Sequence, residues 1–127
     1  MATPSKTYPA SCHCGAVSFT VTVSPPLDDP AQAVVHCNCS ICTRNGYLFV
    51  FCPGSSIRFD KGEGDMTEYT FGPKRLAHYF CPTCGTSCFA QSTDPSAFGD
   101  VRGVNVRTFH DVDLNALKLK EMDGKSM

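Results

Sequence analysis

The sequence lacks the charge pattern and the long apolar segments that would direct it to nucleic acid or to a membrane. Its 127 residues carry 11 Lys and Arg against 12 Asp and Glu, and the cations are scattered, unlike the basic stripe of a nucleic-acid-binding domain. No apolar run approaches the roughly 20 residues that span a bilayer. Residues 1–11 have no apolar core, so we do not expect them to form a secretory signal. We expect a soluble cytoplasmic protein that binds neither nucleic acid nor membrane; no feature indicates its oligomeric state.

The cysteine content does not fit a domain stapled by disulfides. Nine cysteines in 127 residues is an odd number and lies below the roughly 8–10% that marks a disulfide scaffold. A reducing compartment also disfavours disulfides. The thiols instead gather in three tight clusters, which are Cys12-His13-Cys14, Cys37-Asn38-Cys39-Ser40-Ile41-Cys42 and Cys81-Pro82-Thr83-Cys84. Such spacings are typical of metal sites.

Hydrophobic periodicity predicts an all-β domain with little helix. Val17, Phe19, Val21 and Val23 alternate with polar residues, which is the period-two pattern of a half-buried strand. Other short strands, separated by turn residues, are predicted at residues 34–36, 47–52 (a buried strand), 57–59, 66–71, 86–91 and 104–108.

The two ends of the chain are predicted to differ from this pattern. Residues 1–10 contain two prolines and are expected to form a flexible leader. Residues 111–127 are expected to be a C-terminal tail or short helix, and Asp111 to Leu119, with Asp113 as a cap, is the only plausible helical segment. We see no domain boundary and expect a single domain over residues 1–127.

Two of the clusters together supply four metal ligands. Cys12 and Cys14 form one pair and Cys81 and Cys84 the other, and each pair is followed by a glycine that allows a tight turn. Two plus two thiols complete the tetrahedral shell of a structural zinc, which would join an early strand to a late one. The alternative is that these are buried free cysteines.

The remaining cluster, Cys37, Cys39 and Cys42, supplies three thiols and leaves the shell incomplete. One interpretation is a catalytic zinc, because catalytic sites keep a coordination position open. The other is a second structural site, closed by one further side chain among His36, Cys52, Cys88, His78 and His110.

Three segments of the chain resemble the glutathione-dependent formaldehyde-activating enzyme family, also called the Gfa or centromere-protein-V-like family. They are Cys12-His13-Cys14-Gly15, His36-Cys37-Asn38-Cys39-Ser40-Ile41-Cys42 and Tyr79-Phe80-Cys81-Pro82-Thr83-Cys84-Gly85. The order, spacing and flanking residues of these segments agree with the motifs of that family, and the resemblance covers roughly residues 8–110.

The resemblance implies an Mss4-like fold of several small antiparallel sheets around a structural zinc with four cysteine ligands. By position, Cys12, Cys14, Cys81 and Cys84 would hold that zinc. Cys37, Cys39 and Cys42 would hold a second, catalytic zinc, giving two zinc ions per chain. The implied activity is that of a carbon–sulfur lyase, which joins glutathione and formaldehyde to S-(hydroxymethyl)glutathione or cleaves the product. Glutathione is then a possible co-substrate, and the partners are a small-molecule thiol and an aldehyde.

Several charged residues are candidates for contacts with a substrate. His36 is the choice for a proton carrier, because unperturbed histidine titrates near pH 6.5. Arg44 and Arg107, and with them Lys74 and Arg75, are candidates for binding the carboxylates of glutathione. Two other functions remain open at this point. One is a lyase or isomerase acting on a different metabolite, and the other is a non-enzymatic zinc-binding scaffold module, since a fold does not dictate a function.

Overall fold

The computed structural model describes residues 4–71, 76–93 and 100–126, and within them the chain is mostly β. The predicted all-β class is confirmed. The elements are β1 Lys6–Ser11, β2 Ser18–Val23, β3 Val34–Cys37, α1 Ser40–Asn45, β4 Phe49–Pro53, β5 Ile57–Lys61, β6 Thr67–Tyr69, β7 Leu76–Phe80, β8 Ser87–Ser92, β9 Val101–Asn105 and β10 Leu119–Met122. In this part of the chain, no helix has both the length and the apolar character needed to cross a membrane.

The strands form two sheets of unequal size. The smaller sheet has the order β1-β2-β5, and the larger has the order β10-β3-β4-β9-β8-β7-β6. Neighbouring strands pair antiparallel throughout the described residues, except that β10 runs parallel to β3 at one edge of the larger sheet. The parallel pair brings the C-terminal residues beside the strand that leads into the Cys37–Cys42 cluster.

The period-two pattern of β2 is confirmed in the structure. Phe19, Val21 and Val23 are all buried, whereas the residues between them are partly exposed. These side chains belong to the main hydrophobic core, which also contains Val50 of β4 and Val104 of β9. The core therefore lies between the smaller sheet and the middle of the larger one.

The predicted flexible leader is wrong over Lys6–Ala10. These residues form most of β1, which pairs with β2 along its whole length. Tyr8 and Ala10 alternate toward the core and are buried, while Pro9 between them is exposed. Proline lacks a backbone N–H but is accepted on an edge strand, and β1 is an edge strand, so Pro9 did not mark a loop.

Residues 111–119 do not form the predicted α-helix. Leu114–Ala116 is a single 3-10 turn, which Asp113 caps by accepting a hydrogen bond from the Asn115 N–H at 3.0 Å. Leu119–Met122 is extended and pairs with β3. The unpaired edge of β3 offers backbone partners to this segment, and that tertiary pairing overrides a weak local preference for helix.

Two strands predicted near the site are also shifted. The late strand ends at Asn105, and Val106–Thr108 is a 3-10 turn that is nevertheless buried at Val106 and Thr108. The buried strand predicted at residues 47–52 is observed at Phe49–Pro53, and Phe51 on it is 54% exposed. The expected loop at residues 92–100 and the expected strand end at residues 72–73 lie largely outside the described residues.

Candidate metal centres

The Cys12, Cys14, Cys81 and Cys84 thiols converge at one point. Their sulfur atoms all lie within 4.8 Å of one another. The Cys14 Sγ is 3.6 Å from both the Cys12 Sγ and the Cys81 Sγ. Four thiolates on one tetrahedral zinc, with Zn–S bonds of about 2.3 Å, would stand about 3.8 Å apart. The cluster is thus compact enough to hold a metal ion.

Two turns that each end in glycine present these thiols. The Gly15 N–H donates to the Cys12 carbonyl at 3.3 Å, and the Gly85 N–H donates to the Cys81 carbonyl at 2.8 Å. Both glycines have positive φ, +83° and +78°, a conformation that costs glycine little. A residue with a side chain would strain either turn, which explains why each cysteine pair is followed by glycine.

Backbone and hydroxyl groups around the cluster favour the ionised form of two of its thiols, Cys81 and Cys84, whereas the pKa of Cys14 is raised to about 11. The Thr86 hydroxyl lies 3.2 Å from the Cys84 Sγ and is the main reason that the pKa of Cys84 falls to about 5. The backbone N–H of Cys84 is the chief cause of a lowered pKa at Cys81. Because the thiolate is the form that binds metal, Cys84 is ready to ligate at neutral pH.

The second cluster is built where a strand runs directly into a helix. Cys37 ends β3, Cys39 is the N-cap of α1, and Cys42 lies in the first turn of that helix. Residues three apart on a helix share a face, which brings Cys42 beside Cys39. All three sulfur atoms lie within 4.8 Å of one another. The helix was not predicted from sequence, although the thiol spacing suits it.

The helix start gives the three thiols different acidities. Burial opposes ionisation of Cys39, but the backbone N–H groups of Cys42 and Ile41 and the neighbouring thiols outweigh burial and lower the pKa of Cys39. Burial, followed by the contact with Cys39, raises the pKa of Cys42 well above its ordinary value. Without a metal, therefore, Cys39 ionises before Cys42. A cation bound among them would favour the thiolate form of all three.

No fourth protein ligand joins this cluster among residues 4–71, 76–93 and 100–126. His36 points elsewhere: its Nδ1 lies 2.8 Å from the Glu121 carboxylate on β10, and its side chain is 49% exposed. His110 is also engaged elsewhere, with Nε2 2.7 Å from the Ser11 hydroxyl.

Two further cysteines that could have closed the shell are part of the main hydrophobic core. Cys52 and Cys88 are buried there, and burial raises their pKa to about 11 and about 12. They are neutral thiols that act as small apolar side chains. The described part of the chain therefore does not support the alternative of a second structural site with four protein ligands.

Two of the four predicted cationic residues, Arg44 and Arg107, lie at helix α1. Arg44 donates through Nη1 to the Ser40 carbonyl at 3.1 Å, and it lines an open cavity beside the cluster. Arg107 donates through Nε to the Gly46 carbonyl at 2.6 Å, so it stabilises the residue that ends the helix. Lys74 and Arg75 lie outside the described residues.

A segment at residues 119–126, which we call the clasp, holds the loop between Cys37 and Cys39. The Asn38 side chain donates to the Asp123 carboxylate at 2.8 Å and accepts from the Lys125 N–H at 2.9 Å. The Asn38 backbone N–H donates to the Met122 carbonyl at 3.1 Å. Three hydrogen bonds thus fix the residue between two candidate ligands.

Gly124 of the clasp lies directly against the thiols. A Cβ at this position would stand 2.6 Å from the Cys37 Sγ and 3.1 Å from the Cys39 Cβ. No sequence pattern marked this glycine, because its neighbours in space are far away in the chain. Its lack of a side chain is what allows the clasp to pass over the cluster.

We expect Gly124→Ala to weaken metal binding at the second cluster at least tenfold, because the new methyl group must displace Cys37. Competition with a chelator of known affinity, followed by elemental analysis, measures the effect. Gly64→Ala is the matched control, since a Cβ at Gly64 meets nothing within 4 Å. Equal affinities in both variants would contradict the close approach.

The three thiols open onto an apolar cavity of about 420 Å³. Its walls come from β3, α1, β4, β7, β8, β9 and the clasp, and they include Val35, Ile41, Phe49, Phe51, Phe71, Leu76, His78, Ala90, Val101, Gly103 and Met122. Pockets of roughly 300–1,000 Å³ with mainly apolar walls and few polar groups are typical small-molecule sites. The cluster is therefore accessible to a ligand.

Comparison with known proteins agrees with this arrangement. Residues 7–122 match a family model described as glutathione-dependent formaldehyde-activating enzyme, and this range contains all three cysteine clusters. A crystal structure of a protein from Rhodobacter sphaeroides is similar, with 30% sequence identity and a TM-score of 0.73; the match covers 90% of this chain and 98% of that one.

Proposed function

We propose that this protein is a carbon–sulfur lyase, because the chain belongs to the glutathione-dependent formaldehyde-activating enzyme family. It would join a glutathione-type thiol to formaldehyde or another small aldehyde, or cleave the adduct of the two. The observation that carries this proposal is the Cys37, Cys39 and Cys42 cluster. Its three thiols converge without a fourth protein ligand in the described residues, and they line a cavity large enough for a small molecule.

Zinc is the metal that we propose for both clusters. Sulfur donors in groups of three or four are typical of zinc in proteins. Cys12, Cys14, Cys81 and Cys84 would hold a structural ion with a complete shell, and the second cluster would hold a catalytic ion. A zinc ion on three thiolates supplies one open position and lowers the pKa of a thiol that occupies it. All nine cysteines are free thiols, which suits a reducing compartment such as the cytoplasm.

The remaining residues would bind and orient the substrates. Arg44 lines an open cavity that shares Ile41 and Phe71 with the apolar one. It is thus placed to bind a carboxylate of a glutathione-type thiol while the sulfur reaches the cluster. In the joining reaction the carbon–sulfur bond forms as the carbonyl π bond breaks, and the oxygen that receives the π electron pair takes up one proton to become a hydroxyl. The thiol loses one proton, so the overall reaction is proton-neutral.

We expect fully loaded protein to contain two zinc ions per chain and to accelerate exchange between free formaldehyde and its glutathione adduct at least tenfold. Elemental analysis gives the first quantity, and exchange NMR against a protein-free reference gives the second. Removing the more weakly held ion with a chelator should return exchange to background and leave the fold intact. One zinc in loaded protein, or exchange at the background rate, would overturn the proposal.

A further inference from the structure

The floor of the apolar cavity is a row of residues across four strands. Phe51 pairs with Gly103, Gly103 with Ala90, and Ala90 with His78. Residues directly opposite each other on neighbouring strands share a face of the sheet. Two small residues thus lie in the middle of the row, with a large ring at each end. This arrangement makes a trough rather than a flat sheet surface.

Aromatic rings enclose one side of the trough. A Cβ at Gly103 would lie 3.1 Å from Cε1 of Phe51 and 3.3 Å from Cδ1 of Phe49. The Phe49 and Phe51 rings stand 5.9 Å apart at 47°, and Phe49 stacks on Tyr47 at 4.3 Å. Gly103 therefore lets these rings lie across the sheet and form an apolar wall.

The mouth of the cavity carries most of the exposed large apolar side chains in the described residues. Four of the six such residues line it, namely Phe51 (54% exposed), Phe71 (42%), Leu76 (42%) and Val101 (44%). None of the described residues that line the cavity is Lys, Arg, Asp or Glu. A concave apolar patch of this kind marks a binding site for an apolar ligand.

His78 provides a polar contact in this apolar wall. Its Nδ1 lies 3.2 Å from the Tyr47 hydroxyl. Its Nε2 is buried and has no hydrogen-bond partner among the described residues. Burial raises the pKa of Tyr47 and lowers the pKa of His78, so the phenol keeps its proton and the imidazole is neutral. When the phenol donates to Nδ1, the ring hydrogen lies on Nε2 and needs an acceptor.

We propose, building on the function proposed above, that the aldehyde substrate carries an aromatic or branched aliphatic group that fills this cavity. Formaldehyde has a single carbon atom and would leave a cavity of about 420 Å³ nearly empty. The aldehyde places its apolar group between Phe51 and Ala90, and its carbonyl oxygen accepts a hydrogen bond from Nε2 of His78. The thiol sulfur bonds to the carbonyl carbon, and the carbonyl oxygen takes up the proton that the thiol gives up. The product is a thiohemiacetal with no change in oxidation state.

The experiment compares aldehydes with glutathione as the common thiol in the zinc-loaded protein. Exchange NMR gives kcat/KM for benzaldehyde and for formaldehyde above their own protein-free backgrounds. We expect benzaldehyde to exceed formaldehyde at least tenfold, and Phe51→Lys to lower that ratio at least tenfold. Ala31→Lys is the control, because Ala31 is an exposed apolar residue that does not line the cavity.

Each other outcome of this comparison overturns one statement. Formaldehyde used at least as well as benzaldehyde would overturn the apolar substrate and leave the proposed function standing. No turnover of either aldehyde would overturn the proposed function; fluorine NMR with 4-fluorobenzaldehyde would then test the cavity alone. If 4-fluorobenzaldehyde binds and Phe51→Lys weakens that binding, the cavity remains assigned as the site of an apolar aldehyde. If 4-fluorobenzaldehyde does not bind, that assignment is overturned. A dimer that Phe51→Lys dissociates, without aldehyde binding, would show that the patch is a subunit interface.

Variants of His78 test the contact with the carbonyl oxygen. His78→Gln keeps an N–H donor near the position of Nε2, whereas His78→Leu removes it. We expect kcat/KM for benzaldehyde to fall at least tenfold in His78→Leu and to be largely restored in His78→Gln, with two zinc ions per chain in both. Equal losses in the two variants would show that the imidazole acts only through packing.

Discussion

Cys84→Ser should unfold the protein. The thiol lies in the four-cysteine cluster, which joins the turn after β1 to the turn after β7 across 67 residues of sequence. Structural zinc contributes about 10–16 kcal/mol in small zinc-binding peptides, whereas whole domains are stable by only about 5–15 kcal/mol. A serine hydroxyl does not replace the thiolate, so we expect loss of both the bound ion and cooperative thermal unfolding, as measured by circular dichroism.

The matched control for this substitution is Cys88→Ala. Cys88 is fully buried only four residues further along the chain, but it belongs to the core rather than to the cluster. We expect this variant to lose only about 1 kcal/mol, which is the usual effect of a point mutation, and to keep its metal. If Cys84→Ser melted at the wild-type temperature, the four thiols would be ordinary core cysteines and not a metal site.

Cys39→Ser should abolish activity while leaving the protein folded. Serine is a favoured N-cap residue, so helix α1 can still begin at position 39. The cluster, however, loses the thiol whose pKa is lowered and keeps only two sulfur ligands. We expect zinc to fall from two ions to one, exchange to return to background, and the melting temperature to drop by no more than a few degrees.

Cys52→Ala is the control for the loss of a thiol outside the clusters. Cys52 is buried in the main core, and burial raises its pKa to about 11, so it is a neutral side chain. This variant should keep two zinc ions and full exchange activity. Unfolding of Cys39→Ser to the same extent as Cys84→Ser would instead indicate two structural sites, which is the arrangement expected of a scaffold module.

The features predictable from sequence were those carried by local patterns. The alternation from Val17 to Val23 identifies β2, and the short-range spacing of the cysteines identifies both clusters. Gly85 follows Cys84 because the turn needs positive φ, which is also a local requirement. In each of these cases the physical cause lies within a few residues of the signal.

The features that were missed depend on partners far away in the chain. β10 is extended because the edge of β3 offers it hydrogen bonds, and residues 111–119 contain no sign of that edge. Pro9 suggested a loop, although an edge strand tolerates it. The sequence offers His78 only as a candidate metal ligand, whereas its place in the cavity wall follows from pairing with Ala90, which no spacing in the sequence reveals.

The clasp makes the metal cluster and the C-terminal residues thermodynamically dependent on each other. Asn38 bonds to Asp123 and Lys125 across 85 and 87 residues of sequence, and Gly124 touches the Cys37 side chain. Linkage is reciprocal: the factor by which docking of residues 119–126 raises affinity for the metal is also the factor by which the metal favours docking. Loss of a bound ion would therefore loosen an edge strand of the larger sheet, and a change in that strand would in turn alter the affinity of the Cys37, Cys39 and Cys42 cluster for metal.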